Sequence, residues 1–246
     1  MTPSNVSPSS SRPSFATSLG ALRQAQKASA GVSLYSRWVN RPLGRVLAAG
    51  AAAVGIGPNT VTMTSAIVTA AGLALLVLAP VAPLVGIGVA LLLVIGFALD
   101  SADGQVARLT GRSSPAGEWL DHVVDAGKMV AVHACVLVAL WRSGVDAGWL
   151  AVALAYQFVS VVFFAALTLF PLLRRGEAPK TSSPSTVRAV ALLPADYGVL
   201  AFAFVLWGAQ PTFLVVYALL FIATTLIAAA LCLKWFRALA AGSSTG

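Results

Sequence analysis

From Asn59 onward the chain alternates long apolar runs with short polar breaks. Runs of this length and uniformity predict helices that face lipid or each other, not the half-polar helices of a soluble domain. Six membrane-spanning helices are expected. The first covers about Asn59 to Ala79 and ends at Pro80. The second starts near Leu84, is apolar through Leu99, and continues as a polar helix to about Leu109. The third covers about Ala116 to Trp141 and the fourth about Trp149 to Leu173. The fifth, about Ala189 to Trp207, has Pro194 and Asp196 near its start, and the sixth covers about Pro211 to Leu233.

The chain before Asn59 reads differently. Residues 1–15 are polar and Ser/Pro-rich, which predicts a disordered tail. That tail lacks the apolar core and cleavage site of a signal peptide, so nothing is expected to be removed from it. In residues 16–57, Arg23, Lys27, Arg37, Arg41 and Arg45 interleave with Leu34, Tyr35, Trp38, Val39, Leu43 and Val46. That mixture predicts an amphipathic juxtamembrane helix lying on the membrane surface. The expected organisation is therefore the tail, this segment, a six-helix domain over residues 58–237, and a C-terminal tail over 238–246.

Composition agrees with an all-α, polytopic integral membrane protein. Of 246 residues, 58% are hydrophobic and only 10% charged, with a mean hydropathy of +0.86. The net charge of +8 does not point to nucleic acid, because the basic residues flank apolar runs, where anionic lipid attracts them. Their distribution also predicts orientation. Arg108 and Arg112 follow the second run, Arg174, Arg175, Lys180 and Arg188 follow the fourth, and Lys234 and Arg237 follow the sixth. The other side offers only Arg142, close to Asp146. Both termini are expected in the cytoplasm of a multi-pass cell-membrane protein. Cys135 and Cys232 lie inside apolar runs and read as small packing residues.

One stretch breaks the apolar pattern in a costly way. Of the chain's eight acidic residues, Asp100, Asp103, Glu118, Asp121 and Asp125 fall between positions 100 and 125. Asp100, Asp103, Gly104 and Ala107 are spaced i, i+3, i+4, i+7, one helical face bordered by Arg108. Gly117, Asp121 and Asp125 are spaced i, i+4, i+8, with Lys128 on the same side. Two helices with these faces turned together would gather four carboxylates. Their mutual repulsion calls for one or two divalent cations, and an all-oxygen donor set suits Mg²⁺ or Mn²⁺. Leu84 to Leu99 would rise about 24 Å, which puts Asp100 near the cytoplasmic edge of the hydrocarbon.

The pattern Asp-x-x-Asp-Gly-x-x-Ala-Arg, eight residues, Gly-x-x-x-Asp-x-x-x-Asp resembles the signature of the CDP-alcohol phosphotransferase family. It is matched at Asp100, Asp103, Gly104, Ala107, Arg108, Gly117, Asp121 and Asp125, with no departure in spacing. The resemblance implies that a CDP-linked donor, CDP-diacylglycerol or a CDP-polar alcohol, gives its substituted phosphate to an acceptor alcohol and releases CMP, in phospholipid or related phosphodiester synthesis. It implies two metal ions held by Asp100, Asp103, Asp121 and Asp125, with Asp125 matching the family's proposed general base. Arg108 would hold phosphate, and Gly104, Ala107 and Gly117 would shape the nucleotide site together with Asp103. Pro58-Asn59-Thr60-Val61-Thr62 is similar to the Pro-Asn-x-x-Thr that opens the first span in many members, which would bring Asn59 and Thr62 to that site. A homodimer is also implied, and the small residues in the spans permit close packing.

The acceptor is left open by the sequence. Members using phosphorylated inositol or glycerol tend to carry basic residues beyond the motif, whereas Tyr156 to Leu173 has none. Candidate contacts are Arg37, Lys128, Arg174 and Arg188; Lys128 serves equally well as the partner of a surplus carboxylate. His122 and His133 lie off the acidic face and read as packing or polar helix contacts. The alternative function is a cation-coupled transporter with buried carboxylates. Against it, the acidic cluster sits at one membrane edge and no duplicated half is evident.

Overall fold

The computed structural model describes residues 14–24, 32–174 and 185–242. The expected tail up to residue 13, Lys27, the loop holding Arg175 and Lys180, and the last four residues lie outside the described residues. Among the described residues the protein is helical throughout, with no strand. The helices are α1 (Phe15–Gln24), α2 (Arg41–Val54), α3 (Pro58–Leu78), α4 (Pro83–Leu109), α5 (Pro115–Arg142), α6 (Ala147–Leu173), α7 (Thr186–Ala191), α8 (Tyr197–Ala203) and α9 (Gln210–Gly242). Proline opens α3, α4 and α5, where its missing N–H costs nothing and its fixed φ suits the first turn. At α5 the Ser114 hydroxyl adds a cap, accepting from the Gly117 N–H at 3.1 Å.

Among the described residues, five helices are long and apolar enough to cross a membrane: α3, α4, α5, α6 and α9. Their outer faces carry large exposed apolar side chains such as Ile67, Leu84, Phe158 and Leu226, as lipid-facing surfaces do. The run expected as a continuous fifth span is broken. It forms α7, a 3₁₀ turn at Leu193–Ala195, and α8 continued by a second 3₁₀ stretch at Phe204–Gly208. Pro194 cannot continue a helix, and Asp196 adopts an extended backbone and caps α8 by accepting from the Gly198 N–H at 2.7 Å. The last helix is longer than expected. It passes Lys234 because Trp235 stacks on Phe170 at 5.1 Å and on Phe163 at 6.4 Å, so packing against α6 extends beyond the apolar run.

The core is built on α4. Val89, Ala90 and Leu93 are buried against Leu73 and Leu76 of α3, Val132 and Val136 of α5, and Phe204 and Trp207 of the broken segment. Gly86 is required there. A Cβ would fall 2.5 Å from the Phe204 carbonyl oxygen, so only glycine lets this segment lie against α4. Deeper in the bundle His133 is fully buried between two hydroxyls, Tyr217 at 2.7 Å from Nδ1 and Ser160 at 2.9 Å from Nε2. Its ring also meets Tyr156 at 4.2 Å, so it is a polar link between helices, as expected.

The segment before α3 does not stand apart from the bundle. A π-helical turn at Ser36–Asn40 leads into α2, which stops at Gly55 in the left-handed conformation (φ 82°). Ala48 and Ala49 of α2 pack with Ala102 and Val106 of α4, so α2 braces the half of α4 that carries the first part of the motif. Trp38, Leu43, Val46 and Val54 point outward and are exposed.

Candidate active site

The end of α4 and the start of α5 bring the acidic residues together. Carboxylate oxygens of Asp100, Asp121 and Asp125 lie within 4.8 Å of one another. Lys128, one turn further along α5, reaches into this group. Its ammonium donates to Asp100, to Asp125 at 3.2 Å and to the Ser65 hydroxyl at 2.9 Å. Ser65 in turn donates to the Gly96 carbonyl at 2.7 Å, which fixes the lysine's seat between α3 and α4. A buried ammonium with three oxygen partners marks a place where positive charge is needed.

Asp103 is set apart from the other three. It is buried, and its carboxylate accepts from the Thr62 hydroxyl at 2.7 Å and from the Gly104 N–H. It stays within electrostatic reach of Asp121 and Asp100. The four carboxylates therefore share one neighbourhood, but the structure clusters three and tilts the fourth toward α3.

A cleft of about 520 Å³ opens beside Asp103 and Asp121. Its lining includes every residue expected at the nucleotide site: Asn59, Thr62, Asp103, Gly104, Ala107, Arg108 and Gly117. The small residues have a visible role. A Cβ on Gly117 would stand 3.2 Å from both the Asn59 amide oxygen and the Ser114 hydroxyl, and one on Gly104 would stand 3.3 Å from the Arg108 guanidinium. Arg112, Ser113 and Ser114 also line the cleft. They occupy the eight-residue spacer, whose composition carries no fixed pattern, and Arg112 could have been found only as a second cation beside Arg108.

Positive charge gathers on the α2 side. Burial, together with the like charges of Arg108 and Arg37, pushes the Arg41 guanidinium below its ordinary value. Arg108 also lies within reach of Asp103. Arg37 thus belongs to a guanidinium group at the junction of α2 and α4.

A second cavity, about 190 Å³, lies against Asp100 and Asp125. Lys128, Ser160 and Tyr197 complete its polar lining, and Phe97, Met129, Phe164, Leu167 and Ala195 form apolar walls. Of the four basic residues expected at an acceptor, Lys128 borders this cavity, and Arg37, Arg174 and Arg188 are not in its lining. Arg174 lies over the Phe170 ring at 5.6 Å, and Arg188 is exposed on α7. No motif marks Tyr197 or the contacts that hold it. Asp196 accepts from Ser33 and from Ser36 (2.6 Å), tying the pre-α2 segment to the start of α8. Tyr35 stacks on Phe97 at 6.4 Å, and Phe97 meets Tyr197 at 5.2 Å. Burial and the nearby charge of Asp196 raise the Tyr35 phenol above its ordinary value.

The donors fit a hard divalent cation. The clustered ligand atoms are all carboxylate oxygens, and no thiol lies among them. His122 is 3.9 Å from Asp121, too far for a hydrogen bond, and does not join the cluster.

An intact eight-position motif on two facing helices, placed at the end of an apolar bundle, defines an integral membrane protein of one family. The chain belongs to the CDP-alcohol phosphatidyltransferase family, whose model matches residues 56–240. Among curated proteins it is similar to the archaetidylinositol phosphate synthase of Aeropyrum pernix, 42% identical over 83 residues. That match takes in 33% of this chain and 40% of the relative, so the chain aligns with less than half of the relative's length.

Proposed function

We propose that the protein transfers a substituted phosphate from a CDP-linked donor to an acceptor alcohol, with release of CMP, in phospholipid or related phosphodiester synthesis. One observation carries this reading: three carboxylates meet beside a cleft that holds Arg108, Asn59 and Gly117. The cleft suits the CDP end of the donor. Arg108 offers a forked donor to phosphate, Asn59 can hydrogen-bond the nucleoside, and Gly104 and Gly117 let the nucleotide approach the backbone. Asp100, Asp103, Asp121 and Asp125 would hold two Mg²⁺ or Mn²⁺ ions. Such ions, when bound, neutralise the diphosphate and stabilise the charge on the attacked phosphoryl group.

The protein's own residues do the rest. The acceptor oxygen attacks the phosphorus distal to cytidine, a new P–O bond forms, and the P–O bond to CMP breaks. The acceptor's proton passes to Asp125, which lies on the second cavity. Lys128 offsets part of the negative charge of Asp100 and Asp125 and holds both in place.

The same reading places the site at the cytoplasmic face, with both termini on that side. Supporting this, the broken segment runs alongside α4. Tyr197 meets Phe97, and Trp207 and Gly208 abut Gly86 and Pro83. Phe97 and Pro83 lie about 21 Å apart along α4, so the broken segment serves as the sixth crossing. The exposed apolar side chains of α2 suit a helix seated at the membrane surface. A homodimer is part of this reading; cross-linking in mild detergent that yields only monomer at every concentration removes it.

The test is CMP release by purified protein from CDP-diacylglycerol and CDP-polar alcohols, with Mg²⁺ or Mn²⁺. The relative's name includes an inositol phosphate, so inositol phosphate heads the acceptor panel, with glycerol 3-phosphate and inositol beside it. Metal-dependent release that needs an acceptor is expected. No release with any pairing overturns the reading.

A further inference from the structure

Two hydroxyls reach the second cavity from outside α3–α5: that of Ser160, already paired with His133, and that of Tyr197. Tyr197 opens α8, and its Oη is sealed from water with no hydrogen-bond partner among the described residues. A buried donor left unmade is costly, and such groups are ordinarily satisfied by protein, water or ligand. The phenol lies within electrostatic reach of Asp100 and Asp125, yet bonds to neither. Tyr197 is among the residues that line the 190 Å³ cavity bordered by those two carboxylates.

The phenol is also held firmly. Asp196 caps the turn beneath it and is itself gripped by Ser33 and Ser36, while Phe97 presses on the ring from α4. A Cβ on Gly198 would collide with the Tyr35 ring, so the residue after Tyr197 is fixed as well. Five side chains and one glycine thus fix a hydroxyl that bonds to nothing among the described residues. Such arrangements position a donor for a ligand.

We infer that Tyr197 is an acceptor-binding residue, whose phenol donates to an oxygen of the acceptor next to the hydroxyl that reacts. This rests on the proposed transfer reaction. With the reacting hydroxyl at Asp125, an oxygen on the neighbouring carbon falls on the Tyr197 side of the same small cavity. The ligand class is therefore a polyol with adjacent oxygens, its carbon face lying against Phe97 and Phe164, and not a simple monohydric alcohol. Tyr197 moves no proton in the reaction. It sets which alcohol is held and how it is turned.

The test uses full-length protein in lipid nanodiscs with radiolabelled inositol 1-phosphate, inositol and glycerol 3-phosphate, and CDP as a probe of the other cleft. Tyr197→Phe keeps the ring and removes only the hydroxyl. Binding of at least one polyol should weaken about tenfold in this variant, with CDP affinity unchanged. Equal polyol binding in the two proteins overturns the inference. So does loss of CDP affinity along with polyol affinity, since that marks a general structural defect. Wild-type protein that binds none of the three polyols overturns the ligand class. CMP release by wild-type protein, measured in parallel, reports on the transfer reaction separately: polyol binding that depends on Tyr197 without CMP release would fault the reaction and leave the binding site standing.

Discussion

The Thr62 hydroxyl donates to the Asp103 carboxylate at 2.7 Å, across 41 positions of sequence and between two helices. The same hydroxyl lies 3.2 Å from the Pro58 carbonyl, one turn back, so it is oriented by its own helix. This contact turns Asp103 away from the other three aspartates and toward the cleft. Thr62→Val removes the donor and keeps the shape. A hydrogen bond to a charged group contributes about 1.5–3 kcal/mol, so the KM for the CDP donor should rise by about tenfold or more, and Thr62→Ser should restore it. Steady-state CMP release at varied donor concentration measures this; an unchanged KM would mean that Asp103 needs no help from α3.

The aspartates should divide by role. Asp100→Asn or Asp121→Asn keeps size and removes charge, so Mn²⁺ affinity and turnover should fall together. Asp125→Asn should lose roughly 10²–10⁴-fold in turnover, as removal of a general base does, while retaining at least one metal and the CDP donor. Metal titration and donor binding on each purified variant decide the matter. If Asp125→Asn binds neither, Asp125 is chiefly a ligand.

Lys128→Met tests the buried ammonium. Removing one partner from a buried ion pair costs about 3–5 kcal/mol, because the other charge is left uncompensated. Here two carboxylates are left, Asp100 and Asp125. Thermal unfolding in detergent with a chelator should therefore shift sharply downward for the variant. Added Mn²⁺ should recover more of the loss in Lys128→Met than it adds to wild type. Equal shifts with and without metal would separate the lysine from the metal site.

The helices that positioned this site were readable because proline marks their starts. Pro58, Pro83 and Pro115 each open a uniform apolar run, and α3, α4 and α5 begin at those residues. The break before α8 was also written in the chain, as Pro194 and Asp196, but the apolar run around them outweighed two residues. At α9 the error went the other way. Lys234 and Arg237 read as an end, whereas Trp235 finds aromatic partners on α6 that periodicity cannot reveal. At the site, spacing alone put four aspartates on two faces. The tilt of Asp103 depends on Thr62, a partner on a third helix. Tyr197 could not be found by any motif, since its place follows from Asp196, Phe97 and the packing of a segment 160 positions from Ser36.

Topology follows from the crossing count. Reporter fusions near Ala82 and near Lys180 should report opposite sides of the membrane, with a fusion after Gly246 on the Lys180 side. Fusions near Ala82 and Lys180 on the same side would remove the proposed orientation. A C-terminal fusion on the Ala82 side would show that the broken segment at residues 186–208 turns back without crossing.

The four aspartates border two separate spaces: Asp103 and Asp121 line the larger cleft, Asp100 and Asp125 the smaller cavity. On the proposed reading, with the donor's nucleotide in one and the acceptor in the other, both substrates would be held at once and neither would have to leave before the other arrives. The order of events would then be a single displacement through a ternary complex. Double-reciprocal plots would intersect, the configuration at the transferred phosphorus would invert, and no side chain would carry the phosphoryl group between two half-reactions.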